Sequence, residues 1–113
     1  MAIAFLKIPP EDAVTRLQEC ARKGYATRHA MQGEYDQAGH GNITDSMVTD
    51  WINRINNWAN ETRQELLDIY DSPNYMYKFL EAPPNTISTA EDQRFTNLKF
   101  GLLERVETLN RYV

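Results

Sequence analysis

From Thr44 to Phe79 the chain reads TDSMVTDWINRINNWANETRQELLDIYDSPNYMYKF. Val48, Trp51, Ile52, Ile55, Trp58, Ala59, Thr62, Leu66, Ile69 and Tyr70 recur there at three- and four-residue intervals, which places them on one face of a helix. Asn53, Asn56, Asn57, Asn60, Glu61, Arg63, Gln64 and Asp68 fill the opposite, polar face. Thr44-Asp45-Ser46 offers side-chain oxygens to the first free N–H groups, so the helix is expected from about Thr44 to Tyr70. At 1.5 Å per residue that is about 40 Å, long enough to need packing partners along much of its length.

The same reading extends to the rest of the chain. Pro9-Pro10-Glu11-Asp12 starts a first helix, with proline tolerated in the first turn and acids facing the positive end of the dipole. Val14, Leu17, Ala21, Gly24, Tyr25, Arg28 and Met31 mark one side of it, with Cys20 beside them. Gly24 is read as a point of close helix–helix approach, because a missing side chain lets backbones near each other. The helix is expected to end near Gly33, followed by a Gly-rich loop over 33–43 (GEYDQAGHGNI). After Tyr70, Ser72 caps and Pro73 opens a short third helix to Glu81, ended by Pro83-Pro84. Ser88-Thr89-Ala90-Glu91 has the spacing of a capping box for a last helix. Its stripe is Phe95, Leu98, Leu102, Val106, Leu109 and Val113. Phe100 and Leu103 lie off that line, so either the buried face is wide or this helix touches two neighbours. Residues 1–9 read as an apolar arm that packs Ile3, Phe5, Leu6 and Ile8 onto the bundle or a neighbouring subunit. No strand alternation appears. The expectation is an all-α fold, an antiparallel bundle of three long helices and one short helix, as a single helical domain over 1–113.

Composition narrows the partners. The chain has 113 residues, one domain's worth, with 42% hydrophobic and 25% charged residues. A net charge of −4 argues against nucleic acid, which calls for a basic surface. No run approaches the roughly 20 apolar residues of a membrane span. Cys20 is the only cysteine, which rules out an internal disulfide and suits a cytoplasmic location.

Chemistry is sparse. Cys20 and His29 are nine residues apart on one helix and point to opposite sides, and His40 belongs to the glycine-rich loop. Gly39-His40-Gly41 lacks the strand and lysine of a phosphate loop. Glu61, Glu65 and Asp68 share helical spacing, but no Glu-x-x-His motif accompanies them, so they read as a solvated acidic face. The expectation is therefore no catalytic residue, no metal and no cofactor. The aromatic residues read mainly as core. Tyrosine and tryptophan also dominate protein contacts, which makes Trp51, Trp58, Tyr75, Phe79, Phe100 and Leu103 the candidate interaction residues.

Trp51 within a long polar-faced helix is followed by Leu66-Leu67-Asp68-Ile69-Tyr70, Asp71-Ser72-Pro73 and Tyr75 to Phe79. With an opening helix like Val14 to Gly24 and a leucine-rich closing helix like Phe95 to Leu109, this order resembles a particular bacterial helical module. That module is found ahead of Toll/interleukin-receptor-like and other predicted nucleotide-binding domains. The likeness covers residues 12–113, and no catalytic domain accompanies it here. It implies a sensing, scaffolding or partner-docking role in a bacterial defence or regulatory setting, and it supplies no catalytic residue.

Taken together, the residues point to a non-enzymatic interaction or scaffolding module that acts through protein–protein contacts, with itself as a homo-oligomer or with another protein. The alternative is a small acidic inhibitor or immunity-type protein covering a basic partner. Its motive is the acid concentrated in the second half of the chain.

Overall fold

The computed structural model of the chain describes residues 6–81 and 92–113. Four helices follow in order: α1 (Pro10–Ala38), α2 (Asp45–Ile69), α3 (Asn74–Leu80) and α4 (Gln93–Tyr112). The fold is all-α, as the periodicity predicts. The capping box at Ser88–Glu91, the Pro83-Pro84 stop and the arm residues Ile3 and Phe5 lie outside the described residues.

Local chemistry explains most of the boundaries. Pro10 occupies the first turn of α1, with Glu11 and Asp12 beside it. Thr44 caps α2 by accepting from the Met47 N–H at 3.2 Å. Ser72 Oγ accepts from the Asn74 N–H at 3.3 Å, which starts α3 one residue later than expected. The Asp92 carboxylate accepts from the Arg94 N–H at 2.9 Å at the head of α4.

One boundary differs from the expectation. α1 does not stop near Gly33 but continues to Ala38, so most of the expected 33–43 loop is helix. Gly33 costs about 1 kcal/mol relative to alanine in a helix. Contacts further along outweigh that cost. Tyr35 is buried and stacks on Phe95 with ring centres 4.3 Å apart. Glu34 binds both Trp51 and Arg54 across the bundle. Gln32 donates to Asp36 one turn on. The turn proper is short. Gly39 and Gly41 take φ of 89° and 88°, a backbone region open to glycine, and the Gly39 N–H closes α1 onto the Tyr35 carbonyl at 2.9 Å.

Cross-helix contacts give the topology. Glu34 meets Trp51 while Arg16 meets Glu65, so α1 and α2 are antiparallel. Tyr35 meets Phe95 while Tyr25 meets Asn110, so α1 and α4 are antiparallel too. α3 turns back along α2, with Tyr75 against Tyr70 and Phe79 against Trp58. Because α3 is short, α2 and α4 also touch directly, as Trp51 and Phe95 show. Leu6 bridges to Tyr70, and the Lys7 N–H donates to the Ile69 carbonyl at 2.8 Å. Leu6 and Ile8 are half-buried against the core, as the arm reading expects.

The centre of the bundle is Gly24. A Cβ there would lie 2.5 Å from Val106 Cγ2 and 2.7 Å from Trp58 Cζ2. The absent side chain thus lets α1 settle onto α2 and α4 at one point, as the sequence suggests. Trp58 fills the space below. It is 5% exposed, donates its indole N–H to the Cys20 carbonyl at 2.9 Å, and meets Phe79 edge to face.

Two outcomes follow for chemical or thermal denaturation. Trp58→Ala should lower stability by about 3–5 kcal/mol, the range for a fully packed aromatic. Gly24→Ala should be destabilising even though alanine favours helix. About 1 kcal/mol of propensity gain is set against about 1–3 kcal/mol of overpacking, because both colliding neighbours are themselves buried.

Candidate functional site

The structure divides the six candidate interaction residues. Trp51 and Phe79 are fully buried and Trp58 is nearly so. All three pack in the core, and Trp58 also lines the groove between α1 and α2. Helical periodicity identifies a face but not how completely neighbouring helices cover it. Tyr75 is half-buried, stacked on Tyr70 with ring centres 3.9 Å apart and edge-on to Tyr112 at 5.1 Å. Within this cluster burial pushes the Tyr70 and Tyr112 hydroxyls up to about 12. Ile52, placed on the buried stripe by spacing, is instead 39% exposed.

Phe100 and Leu103 are the two candidates at the surface. Phe100 is 39% exposed and Leu103 half-buried. α4 does touch three neighbours (α1, α2 and α3), yet Phe100 remains 39% exposed. Asn110 lies seven residues, two turns, beyond Leu103 and so on the same side of α4. It donates to the Tyr25 hydroxyl of α1 at 2.9 Å. Tyr25, itself 39% exposed, therefore borders the same surface. Lys99 and Glu107 flank Leu103 at four residues on either side, and the Lys99 ammonium sits 5.1 Å from the centre of the Phe95 ring.

A second surface feature is the groove between α1 and α2, with a cavity volume of about 620 Å³. Cys20, Trp58 and Thr62 form its floor, and Arg16, Lys23, Glu61 and Glu65 are among its walls. The Cys20 thiol is pushed up to about 11 by burial, and neighbouring Glu65 adds to the rise. That disfavours the thiolate a nucleophile needs. Of the two histidines, His29 is exposed, and His40 lies with Nδ1 3.1 Å from the Tyr35 hydroxyl. Among the described residues, no three histidine, cysteine or carboxylate groups come together as metal ligands.

Charged clamps join α1 and α2 toward each end of the pair. Arg16 binds Glu65 at 2.6 Å and Asp68 at 3.4 Å. At the far end Arg54 grips Glu34 through two nitrogens and also reaches Asp50, while Trp51 donates to Glu34 at 3.2 Å. Arg94 joins Asp92 and Asp45 at the head of α4. These pairs use much of the acid that reads as an open acidic face in the sequence. Glu65 and Asp68 are engaged within the chain, so that surface is less acidic toward a partner than its composition implies. The clamps were not legible from the sequence, since each joins helices through residues far apart with no local pattern.

No protein-family model matches the chain, and neither a curated protein nor a solved structure matches it. Among the described residues, no helix is long and apolar enough to cross a membrane.

The clamp at Glu34 sets an acid response. Hydrogen bonding from Arg54 holds the Glu34 carboxyl below its ordinary value, with burial opposing and Trp51 assisting. A depressed carboxyl contributes stability above its unfolded value, and that contribution disappears as pH falls through the folded value. Melting temperature measured from pH 6 down to about 3 should therefore fall further in the wild type than in Glu34→Gln, which has no such carboxyl to protonate.

Proposed function

We propose that this chain is a non-enzymatic helical interaction module that acts through protein–protein contacts and associates with itself. The observation that supports the reading is the outer flank of α4. A phenylalanine ring stands 39% exposed there, next to half-buried Leu103 and bordered by Tyr25, while Trp51, Trp58 and Phe79 are consumed by the core. Burying Phe100 and Leu103 in a contact removes apolar surface from water at about 25 cal/mol per Å², the usual driving force of association. Clusters of exposed aromatic and aliphatic groups are where partners bind.

The burial of the lone thiol supports a non-catalytic reading, since a thiol pushed up to about 11 is a poor nucleophile. The resemblance to the bacterial modules adds a defence or regulatory setting inside the cytoplasm to the proposal. It also makes docking, rather than chemistry, the contribution of these helices.

Light scattering after size exclusion tests the reading on the intact chain. The expected mass is a multiple of 13.1 kDa that declines on dilution, and Phe100→Asp should return it to the single-chain value without a loss of helicity. A wild-type mass of 13.1 kDa at every concentration would overturn self-association.

A further inference from the structure

The groove between α1 and α2 has a cavity volume of about 620 Å³, within the size range of small-molecule sites. Its floor offers chiefly apolar surface, because the polar groups there are engaged within the fold. The Trp58 N–H is bound to the Cys20 carbonyl, and the Thr62 hydroxyl bonds the Cys20 thiol. Most of the charge on the walls is engaged too. Arg16 holds Glu65, and Arg22 takes both oxygens of Glu19. Two charged groups remain. The Lys23 ammonium lines the α1 side and the Glu61 carboxylate the α2 side, and neither makes a hydrogen bond or ion pair among the described residues. A second hollow of about 440 Å³ shares Lys23, Trp58 and Glu61 with the first, so this pair stands where the two spaces join. Opposite charges on two walls that do not reach each other are matched by a molecule that carries both signs.

We propose that this groove binds a free α-amino acid with a large apolar side chain. The ligand's carboxylate takes the Lys23 ammonium, its own ammonium takes the Glu61 carboxylate, and its side chain lies on the floor of Cys20, Trp58 and Thr62. An α-amino acid suits this division because both charges sit on one carbon and leave the side chain free to turn inward. A simple carboxylate sets a second negative charge beside Glu61, and a simple amine sets a second positive charge beside Lys23. Like-charge juxtaposition of that kind is unfavourable, so the walls select for the zwitterion. Burial of the side chain against the floor supplies affinity, and the two charges supply orientation. Because the ligand touches both helices at once, it holds α1 against α2 between the two arginine clamps and stabilises the folded chain by mass action. The site uses residues of α1 and α2 alone. It goes beyond the self-association reading and stands or falls apart from it.

Titration of the intact chain with L-phenylalanine, followed by calorimetry and by tryptophan emission, should show saturable binding. Trp58 lines the groove while Trp51 is fully buried, so a change in emission reports on the floor. Phenethylamine has the same ring without the carboxylate, and hydrocinnamate has it without the ammonium. Each should bind about fivefold more weakly, the effect of losing one ion pair at a surface. Two substitutions of exposed residues then assign the walls. Lys23→Gln should weaken phenylalanine about fivefold and leave phenethylamine unchanged. Glu61→Gln should weaken phenylalanine by the same factor and leave hydrocinnamate unchanged. Damage to the fold does not produce this crossed pattern, because it weakens all three probes in both variants. The proposal is overturned if phenylalanine gives no saturable signal up to about 10 mM. It is equally overturned if the truncated probes bind as tightly as phenylalanine, or if each variant affects all three probes alike. Each of these results leaves the solution mass of the chain, and so the self-association reading, untouched.

Discussion

The bundle depends on a missing methyl group. At Gly24, α1 approaches so closely that a Cβ would overlap Val106 of α4 and the indole of Trp58 from α2. Three helices therefore converge at one point, and the ring of Trp58 is sealed beneath it. The indole N–H is satisfied by the Cys20 carbonyl one turn earlier in α1. A buried indole without an acceptor costs free energy comparable to a lost hydrogen bond, so this bond and the close approach sustain each other. The core radiates from that point: Phe79 beside Trp58, then Trp51, Phe95 and Tyr35 toward one end, and Tyr70, Tyr75 and Tyr112 toward the other.

Polar contacts act where apolar contact thins. Between α1 and α2 the helices part over a groove, and arginine–carboxylate clamps tie the two helices together toward each end of the pair. Each clamp is partly open to water and so contributes modestly to stability. Their greater effect is on geometry. A guanidinium held through two nitrogens by Glu34 fixes the axial position of α2 against α1. The same contact extends α1 past Gly33, so a surface ion pair and a buried ring together decide where a helix ends.

Much of the architecture was legible in the chain. The 3.6-residue period, the Thr44 cap, Pro10 at the start of α1 and the Ser72-Pro73 turn place the helices, and Gly24 announces a close approach. The end of α1 was not legible, because three glycines within ten residues look like a loop until Tyr35 finds Phe95 on a helix far along the sequence. Trp51, Trp58 and Phe79 were ambiguous for a related reason. A stripe gives direction, and only the neighbouring helices determine depth. Phe100 and Leu103 stood out as residues off the stripe of α4, and that local irregularity survives folding as exposed surface. The clamps carried no signal, since Arg16 meets Glu65 across forty-nine positions of chain.

The placement of α4 has a consequence for how the molecule assembles. Its partners on α1 lie near the opposite end of the sequence: Tyr35 with Phe95, Gly24 with Val106, Tyr25 with Asn110. The α1–α2 hairpin can zip locally, but it leaves the floor of its other side uncovered until the last helix arrives. Closure of the longest loop is thus coupled to formation of the tightest packing, a topology that slows folding and makes it cooperative. During synthesis the first two helices emerge before the surface that completes them exists, and the nascent hairpin must wait with its aromatic side open to water.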